Sequence, residues 1–440
     1  MSYNPQAALA HYVAQHPEVT QYCVAFSGGM DSHVLLYIAA ELLAATDGIA
    51  LRAVHVNHGL SPDSARWAEH SENVCASLDI ALTVCPVDVV DSGEGPEANA
   101  RMARYGAFAS QLLVDEHLLL AQHLDDQAET FLLQALRGSG PDGLASIPRK
   151  RTFAQGIMAR PLLGCSRESL SEFATSAALE WIEDPSNQDT RFDRNFLRHE
   201  ILPLMKSRWP SAAKTLNRSA MRCAAASQTL LVLAQEDLDM VRMRGSAEIS
   251  VSELRSLPRE RAYNVLRIWV RQAGLRMPRL QDLAHVLSDL IRAREDSAGI
   301  VNVRDYEFRR HRDRLFLLAP QTETEPFHYE WPAPFEPLNI TEIGLELSSE
   351  ACRAQGIVLP PAGTVIVKNR TGGELIKLGE PAFHKAVKKL LQESAIPPWQ
   401  RANIPLLYID GRLAAVWNIA VAVDFRTGGS IEAMADAELV

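Results

Sequence analysis

Short apolar runs and longer mixed runs take turns over the first 140 residues. QYCVAF is followed by HVLLYIAAELLAA, LRAVHVN by the polar run RWAEHSENVCASL, ALTVCPVDV by EANARMARYGAFASQLLV, and HLLLA by DQAETFLLQAL. The short runs, rich in β-branched and aromatic residues, read as strands; the longer ones, with apolar positions three or four apart, read as helices. Such alternation predicts βαβ units, and so a doubly wound, mostly parallel α/β sheet with helices on both faces. Ligands in these sheets bind beyond the carboxyl ends of the strands. FSGGMDS (26–32), HVNHG (55–59) and AQHLDD (121–126) each follow an expected strand, so three polar loops should meet at one edge.

Near residue 211 the pattern changes to long helical periodicity, as in AAKTLNRSAMRCAAASQTLLVLAQEDLDMVRM and ERAYNVLRIWVRQAG. A helical module over 211–319 is expected. Residues 320–337 hold five prolines and four glutamates; proline fixes φ and lacks an N–H, so an extended linker is expected over 320–345. Beyond it, TVIVKNRTGGELIKL and PLLYIDGRLAAVW read as strands, the second with a hairpin at Asp410-Gly411, around an amphipathic helix FHKAVKKLLQES. The expected division is therefore a sheet domain over 1–210, the helical module, the linker, and a small α+β domain over 346–440.

Composition narrows the class without naming a chemistry. With 47% hydrophobic and 22% charged among 440 residues, this is an ordinary folded chain, long enough for several cores. No uncharged apolar run reaches the ~18 residues of a membrane span, and the first segment has no Lys or Arg to suggest a leader. The six cysteines are scattered, without a C-x-x-C pair, and read as free thiols of a reducing compartment. A cytoplasmic protein with no membrane partner is expected. The net charge of -10 argues against a generally basic nucleic-acid binder, yet residues 251–280 carry seven arginines against Glu253 and Glu260. That stretch reads either as a solvated helix face or as a local surface for RNA.

In FSGGMDS, two glycines lie between a buried strand and a buried helix. Free N–H groups and the helix dipole favour a phosphate there, and glycine lets the backbone approach it closely. Neither G-x-x-x-x-G-K-[ST] nor G-x-G-x-x-G is present. SGGMDS is similar instead to the S-G-G-x-D-S signature of the ATP pyrophosphatase, or PP-loop, family, which splits ATP into AMP and pyrophosphate. The resemblance implies that Ser27, Gly28, Gly29, Met30, Asp31 and Ser32 hold the pyrophosphate end of ATP. A bare carboxylate repels phosphate, but Asp31 would attract it across a Mg²⁺ ion. The alternative for Asp31 is a partner of the helix dipole.

Further motifs follow. In AQHLDDQAET, Asp126 and Glu129 are three residues apart and share one helix face, with His123 and Asp125 just before them. They can stabilise a first helical turn or hold an ammonium group and take its proton. The histidines of HVNHG lack a third ligand at zinc spacing and read as loop residues. EANARMARY places Arg101 on a helix. Together with RPLL (160–163) and EDPSNQDTRFDRNFLRHEILPL (183–204), these motifs resemble the tRNA(Ile)-lysidine synthetase family. The likeness is close over 20–205, weakens through the helical module, and returns at 377–417.

That resemblance implies a ligase with two steps. ATP adenylates the carbon-2 oxygen of the wobble cytidine in an isoleucine tRNA with a CAU anticodon; free L-lysine then displaces AMP, leaving lysidine and changing codon reading from AUG to AUA. It assigns Asp126 and Glu129, with His123, to lysine, and Arg101 to nucleotide or substrate. Arg194, Asn195 and Arg198 become candidates for phosphate contact, although each arginine reads equally well as a structural ion-pair partner. Arg267, Arg271, Lys385, Lys388 and Lys389 become candidates for tRNA contact. No obligate protein partner is implied. The alternatives are another PP-loop adenylating enzyme, such as a tRNA thiolase, or a non-enzymatic adenine-nucleotide binder; the second leaves the Asp126/Glu129 pair unexplained.

Overall fold

A computed structural model describes residues 4–427 apart from 45, 60–62, 92, 94, 293–298, 321–324 and 380–382. The chain divides into two compact units, Met1–Leu233 and Ala234–Val440.

The first unit opens with helix α1 (Pro5–Ala14) and strand β1 (Gln21–Ala25), then α2 (Met30–Ala39), β2 (Ala50–Asn57), α3 (Ser64–Ser77), β3 (Ala81–Pro86) and α4 (Pro96–Gln111). Next come β4 (His117–Leu119), α5 (Leu124–Leu136), α6 (Pro141–Leu144), β5 (Lys150–Phe153), β6 (Gly156–Ala159) and α7 (Arg167–Ser176). Short α8 (Asp193–Phe196) and α9 (Leu202–Arg208) precede the long α10 (Ala212–Val241). The sheet order is β3-β2-β1-β4-β6-β5, parallel except for β5, which pairs antiparallel with β6. The α/β, mostly parallel reading of the sequence is thus the observed one. From β1 the chain steps outward to β2 and β3, then returns to the other side of β1 for β4. This reversal is a topological switch point, and the crevice it opens lies beyond the carboxyl ends of β1 and β4.

Both faces of the sheet are covered. Tyr22, Val24 and Phe26 point into a core with Leu9 of α1 and Val34, Leu35 and Ile38 of α2. Cys23 and Ala25 point the other way, onto Phe108 of α4, Leu112 just after it, and Leu118 and Met158. This period-two split explains why β1 reads as a continuous apolar run: it is buried on both sides. Each fully buried large apolar side chain contributes roughly 1.5–3 kcal/mol.

The second unit departs from a purely helical module. After α11 (Val251–Ser256), α12 (Arg259–Gln272) and α13 (Leu280–His285), strands β8 (Ile300–Val303), β9 (Tyr306–His311) and β10 (Arg314–Leu318) join β7 (Ile249–Ser250) in an antiparallel sheet. Tight turns with positive φ at Arg304 and Arg312 make these hairpins, and neither position carries the glycine that usually announces such a turn. Part of the expected linker is also a strand: β11 (His328–Pro332) pairs antiparallel with β12 (Thr364–Lys368). It is the outer strand of that sheet, where a proline without N–H is tolerated. Residues 321–324 of the linker lie outside the described residues. The hairpin at Asp410-Gly411 joins Leu406–Ile409 to Arg412–Val416, with φ of 51° and 73° at the two turn residues, as a type I′ turn requires. The helix expected over FHKAVKKLLQES begins only at Val387; Phe383–Ala386 pairs as a strand with Leu375–Gly379.

Candidate functional site

The turn from β1 to α2 is built around its two serines. Ser32 Oγ donates to Gly29 O at 2.9 Å, accepts from Ser27 N–H at 3.2 Å, and lies 3.0 Å from Ser27 Oγ. Gly28 has φ +82°, and a Cβ there would lie 3.1 Å from Ile182 Cδ1, so only glycine sits there without strain. Its carbonyl accepts the Ile182 N–H at 3.0 Å. Gly29 is the N-cap of α2, and no side chain caps it. The result is an open helix start with small residues around it, suited to an anion. Met30 instead packs against the core.

Asp31 stands in the first turn of α2, and its Oδ1 is buried without a hydrogen-bond partner. Among the described residues no group of three His, Cys, Asp or Glu can hold a metal. An orphaned carboxylate oxygen beside a phosphate site nevertheless fits Mg²⁺, which takes one or two carboxylates and completes its shell with phosphate oxygens and water.

Beyond β4, His123 caps α5. Its Nδ1 accepts the Asp125 backbone N–H at 3.2 Å, and the backbone N–H of His123 donates to Asp126 Oδ2 at 3.0 Å. Nε2 then faces Asp31 Oδ2 and Asp126 Oδ2, each 3.5 Å away. Burial opposes a charge on this ring, but Asp126, Asp31 and Asp125 outweigh burial and push His123 up to about 9. A doubly protonated ring must give up the Asp125 N–H, so the cap works against the pull of the carboxylates. Asp125 is held in turn by Lys206 of α9 and by the Arg167 N–H at 2.9 Å.

Asp126 and Glu129 do share one face of α5, and that face meets Arg194 and Arg198. Arg194 donates to Glu129 Oε2 at 2.8 Å and Asp126 Oδ1 at 2.9 Å. Arg198 donates to Glu129 Oε1 at 2.7 Å, Glu129 Oε2 at 2.9 Å and Asp126 Oδ1 at 3.0 Å. Burial raises the cost of charge on Asp126, but His123 and both arginines hold it below the usual carboxylate range. The residues expected to meet lysine and those expected to meet phosphate therefore meet each other. Glu129 is 0% exposed and both of its oxygens are engaged, so it is not open to a ligand in this arrangement. Helical spacing placed the carboxylates together but carried no sign of partners some 65 residues away.

A cavity of about 900 Å³ occupies the crevice. Ser27, Asp31, Asp126, Arg101, Arg194 and Arg198 all line it; His123 and Glu129 lie behind its wall. Arg101 stands exposed on α4, its guanidinium 4.8 Å from the Tyr105 ring centre and donating to the Tyr105 hydroxyl at 3.1 Å. Asn195 also lines the cavity, yet its amide is occupied: Nδ2 donates to Ser186 O and Asp189 O, both at 3.0 Å, bracing the loop before α8. In place of a free phosphate contact, the structure gives it that bracing role. His55 donates from Nδ1 to Phe26 O at 3.0 Å; it is a buried, hydrogen-bonded residue of β2 and not of the loop its motif suggested. Trp67, Gln122 and Phe192 line the cavity without having been singled out, because nothing local marks a residue that reaches a site only through the fold.

In the second unit the candidate RNA contacts are dispersed over three elements. Arg267 is half-buried and Arg271 exposed on α12. Lys385 lies on a strand, paired with Glu393, whereas Lys388 and Lys389 are exposed on the following helix.

Comparisons with known proteins complete the picture. A family model described as a PP-loop domain matches residues 1–205, one described as the TilS substrate binding domain matches 249–316, and one described as the TilS substrate C-terminal domain matches 365–433. A tRNA(Ile)-lysidine synthase of Alkalilimnicola ehrlichii is 41% identical over 95% of this chain and 94% of its own. Enzymes of the same description from Legionella pneumophila (37%; 96% of each chain) and Serratia proteamaculans (39%; 94% of each chain) are similar along nearly the whole length.

Proposed function

The chain belongs to the tRNA(Ile)-lysidine synthase family, and we propose that it ligates free L-lysine to the wobble cytidine of an isoleucine tRNA with a CAU anticodon, using ATP. The observation that carries this reading is the meeting, at one switch point, of an open phosphate turn with a carboxylate that faces the same cavity, Asp31 beside Asp126.

In the first step the carbon-2 oxygen of cytidine bonds to the α-phosphorus of ATP and the bond to pyrophosphate breaks. Ser27, Gly28, Gly29 and Ser32 hold the leaving pyrophosphate at the start of α2, where N–H groups and the helix dipole oppose its charge. Asp31 would hold a Mg²⁺ ion, which when bound would supply further charge neutralisation on the phosphates. In the second step the ε-amine of lysine bonds to carbon 2, the carbon–oxygen bond breaks, and AMP leaves. An ammonium group must first lose a proton; Asp126, on the cavity wall, is placed to pair with that ammonium, and because His123 and both arginines hold down its own proton affinity it serves as a partner for the charge and not as the base. Glu129 acts through Arg194 and Arg198, which it orients toward the same cavity. Arg101, exposed and braced on Tyr105, is suited to a phosphate of nucleotide or RNA. We ascribe ATP chemistry to residues 1–210 and tRNA contact to the segments over 211–319 and 346–440, with Arg267, Arg271, Lys385, Lys388 and Lys389 among the contacts.

The test is incubation with α-labelled ATP, lysine and CAU-anticodon isoleucine tRNA. AMP that forms only when both lysine and tRNA are present supports the reading; AMP formed without either, or none at all, overturns it.

A further inference from the structure

Five aromatic residues line the cavity: Phe26, Trp67, Tyr105, Phe108 and Phe192. Phe26 and Phe108 are core side chains, 1% and 4% exposed. Tyr105 is covered by Arg101 and packs edge-on to Phe153. Trp67 belongs to α3, whose N-terminal residue Ser64 also lines the cavity. Phe192 is the most exposed of the five. It is 38% exposed, and among the described residues its ring, like that of the half-buried Trp67, has no aromatic or cationic partner.

An open phenyl face on the cavity wall can be covered by the flat face of a ligand ring. This ring is also held on a rigid mount. Asn195 ties the loop through Ser186 O and Asp189 O, the His199 ring donates to Asn187 O at 2.8 Å, and the Phe196 N–H bonds to Phe192 O at 2.9 Å. The residue before it, Arg191, has an 88% exposed side chain fixed to Asp189 at 2.7 Å. The residue two after it, Arg194, binds Asp126. Nucleobases stack on such rings, and a neighbouring outward cation suits the phosphates of a polyanion.

We propose that Phe192 is a stacking platform for a base of the substrate RNA, the target cytosine, and so a positioning residue for the reaction. The cavity has room for this: its 900 Å³ lies near the top of the ~300–1,000 Å³ typical of single-ligand pockets, and the reaction needs nucleotide, base and lysine together. RNA is favoured over the adenine of ATP because Phe192 follows the outward Arg191 and shares its short segment with Arg194, which binds Asp126, the carboxylate assigned to the second step, whereas the phosphate turn lies at the start of α2. The inference rests on the function proposed above.

The experiment uses the full chain with Phe192→Leu, which keeps apolar volume but removes the π face, and Phe192→Trp, which restores it. Binding of an anticodon stem-loop with fluorescent pyrrolocytosine at the wobble position is measured, along with KM for tRNA and for ATP. Quenching of the fluorophore is expected with the wild type and with Phe192→Trp. Phe192→Leu should lose it and raise the tRNA KM roughly 5- to 150-fold, with the ATP KM unchanged. A rise in the ATP KM instead, unaltered quenching in Phe192→Leu, or no quenching in the wild type overturns the platform. If the wild type forms no lysine-dependent AMP while Phe192→Leu still loses the quench, the ligase reading falls and the platform stands.

Discussion

At the amino end of β4, His117 packs among Tyr12, His16 and Tyr22; just beyond its carboxyl end, His123 faces Asp31, Asp125 and Asp126. Both imidazoles are buried, 5% and 1% exposed. Their proton affinities nevertheless move in opposite directions. Burial, with His16 and Lys150 nearby and only Glu18 opposing, lowers His117 to about 4, whereas three carboxylates lift His123 despite burial. The amino end is a neutral, ring-packed cluster in which Tyr12 and His117 share a 2.7 Å hydrogen bond and Lys150 lies 3.0 Å from His16. The carboxyl end is a dense mixture of opposite charges. Burial alone does not decide what a histidine does; the sign of its surroundings does, and here opposite charges gather where the chain reverses around β1.

The comparison can be broken most severely at the charged end. Glu129→Ala leaves Arg194 and Arg198 without their fully buried partner, and a loss of about 3–5 kcal/mol is expected from urea unfolding; a midpoint like that of the wild type would show that the arginines find other partners. Asp31→Ala should spare stability but slow AMP formation about 10²- to 10³-fold, as measured with labelled ATP under saturating tRNA and lysine. Comparable, small effects of the two substitutions would erase the distinction between the carboxylate that faces ligand and the one behind it.

The neutral end responds to pH. Folded His117 stays uncharged down to about 4, while an unfolded histidine takes its proton near ~6.5. Between those values the unfolded chain binds more protons, so stability falls as pH falls through the window and levels off below it. His117→Gln should flatten that part of a urea-midpoint profile, and an unchanged slope would assign the loss to other groups. Smallest of all, Tyr12→Phe should cost about 1 kcal/mol, the ordinary worth of one hydrogen bond, checked by thermal unfolding; a loss as large as that of Glu129→Ala would erase the contrast between the two ends.

The alternating runs of the first 140 residues carried most of the sheet because β1 to β4 are each followed by a turn and a helix. β5 was not legible: Lys150, Arg151 and Thr152 are exposed, and a short polar edge strand has no period to read. In the second unit, β8 to β10 were overshadowed by helical periodicity nearby, and β11 was hidden by the prolines that its outer position tolerates. The site divides similarly. Ser27 to Ser32 and the shared face of Asp126 and Glu129 are local patterns and could be read directly. Their closure by Arg194 and Arg198, the backing of Asp125 by Lys206, and the bracing role of Asn195 depend on contacts distant in sequence, for which one chain supplies no signal.

The Gly28 carbonyl that accepts the Ile182 N–H links the phosphate turn to the segment leading into the braced loop at 185–192. Binding at these two places is therefore subject to reciprocity: whatever factor nucleotide adds to RNA affinity through this link, RNA returns to nucleotide affinity. Replacing Gly28 by any residue with a side chain would press on Ile182, and its effect should be read in the cooperativity between the two substrates as well as in the affinity for either one.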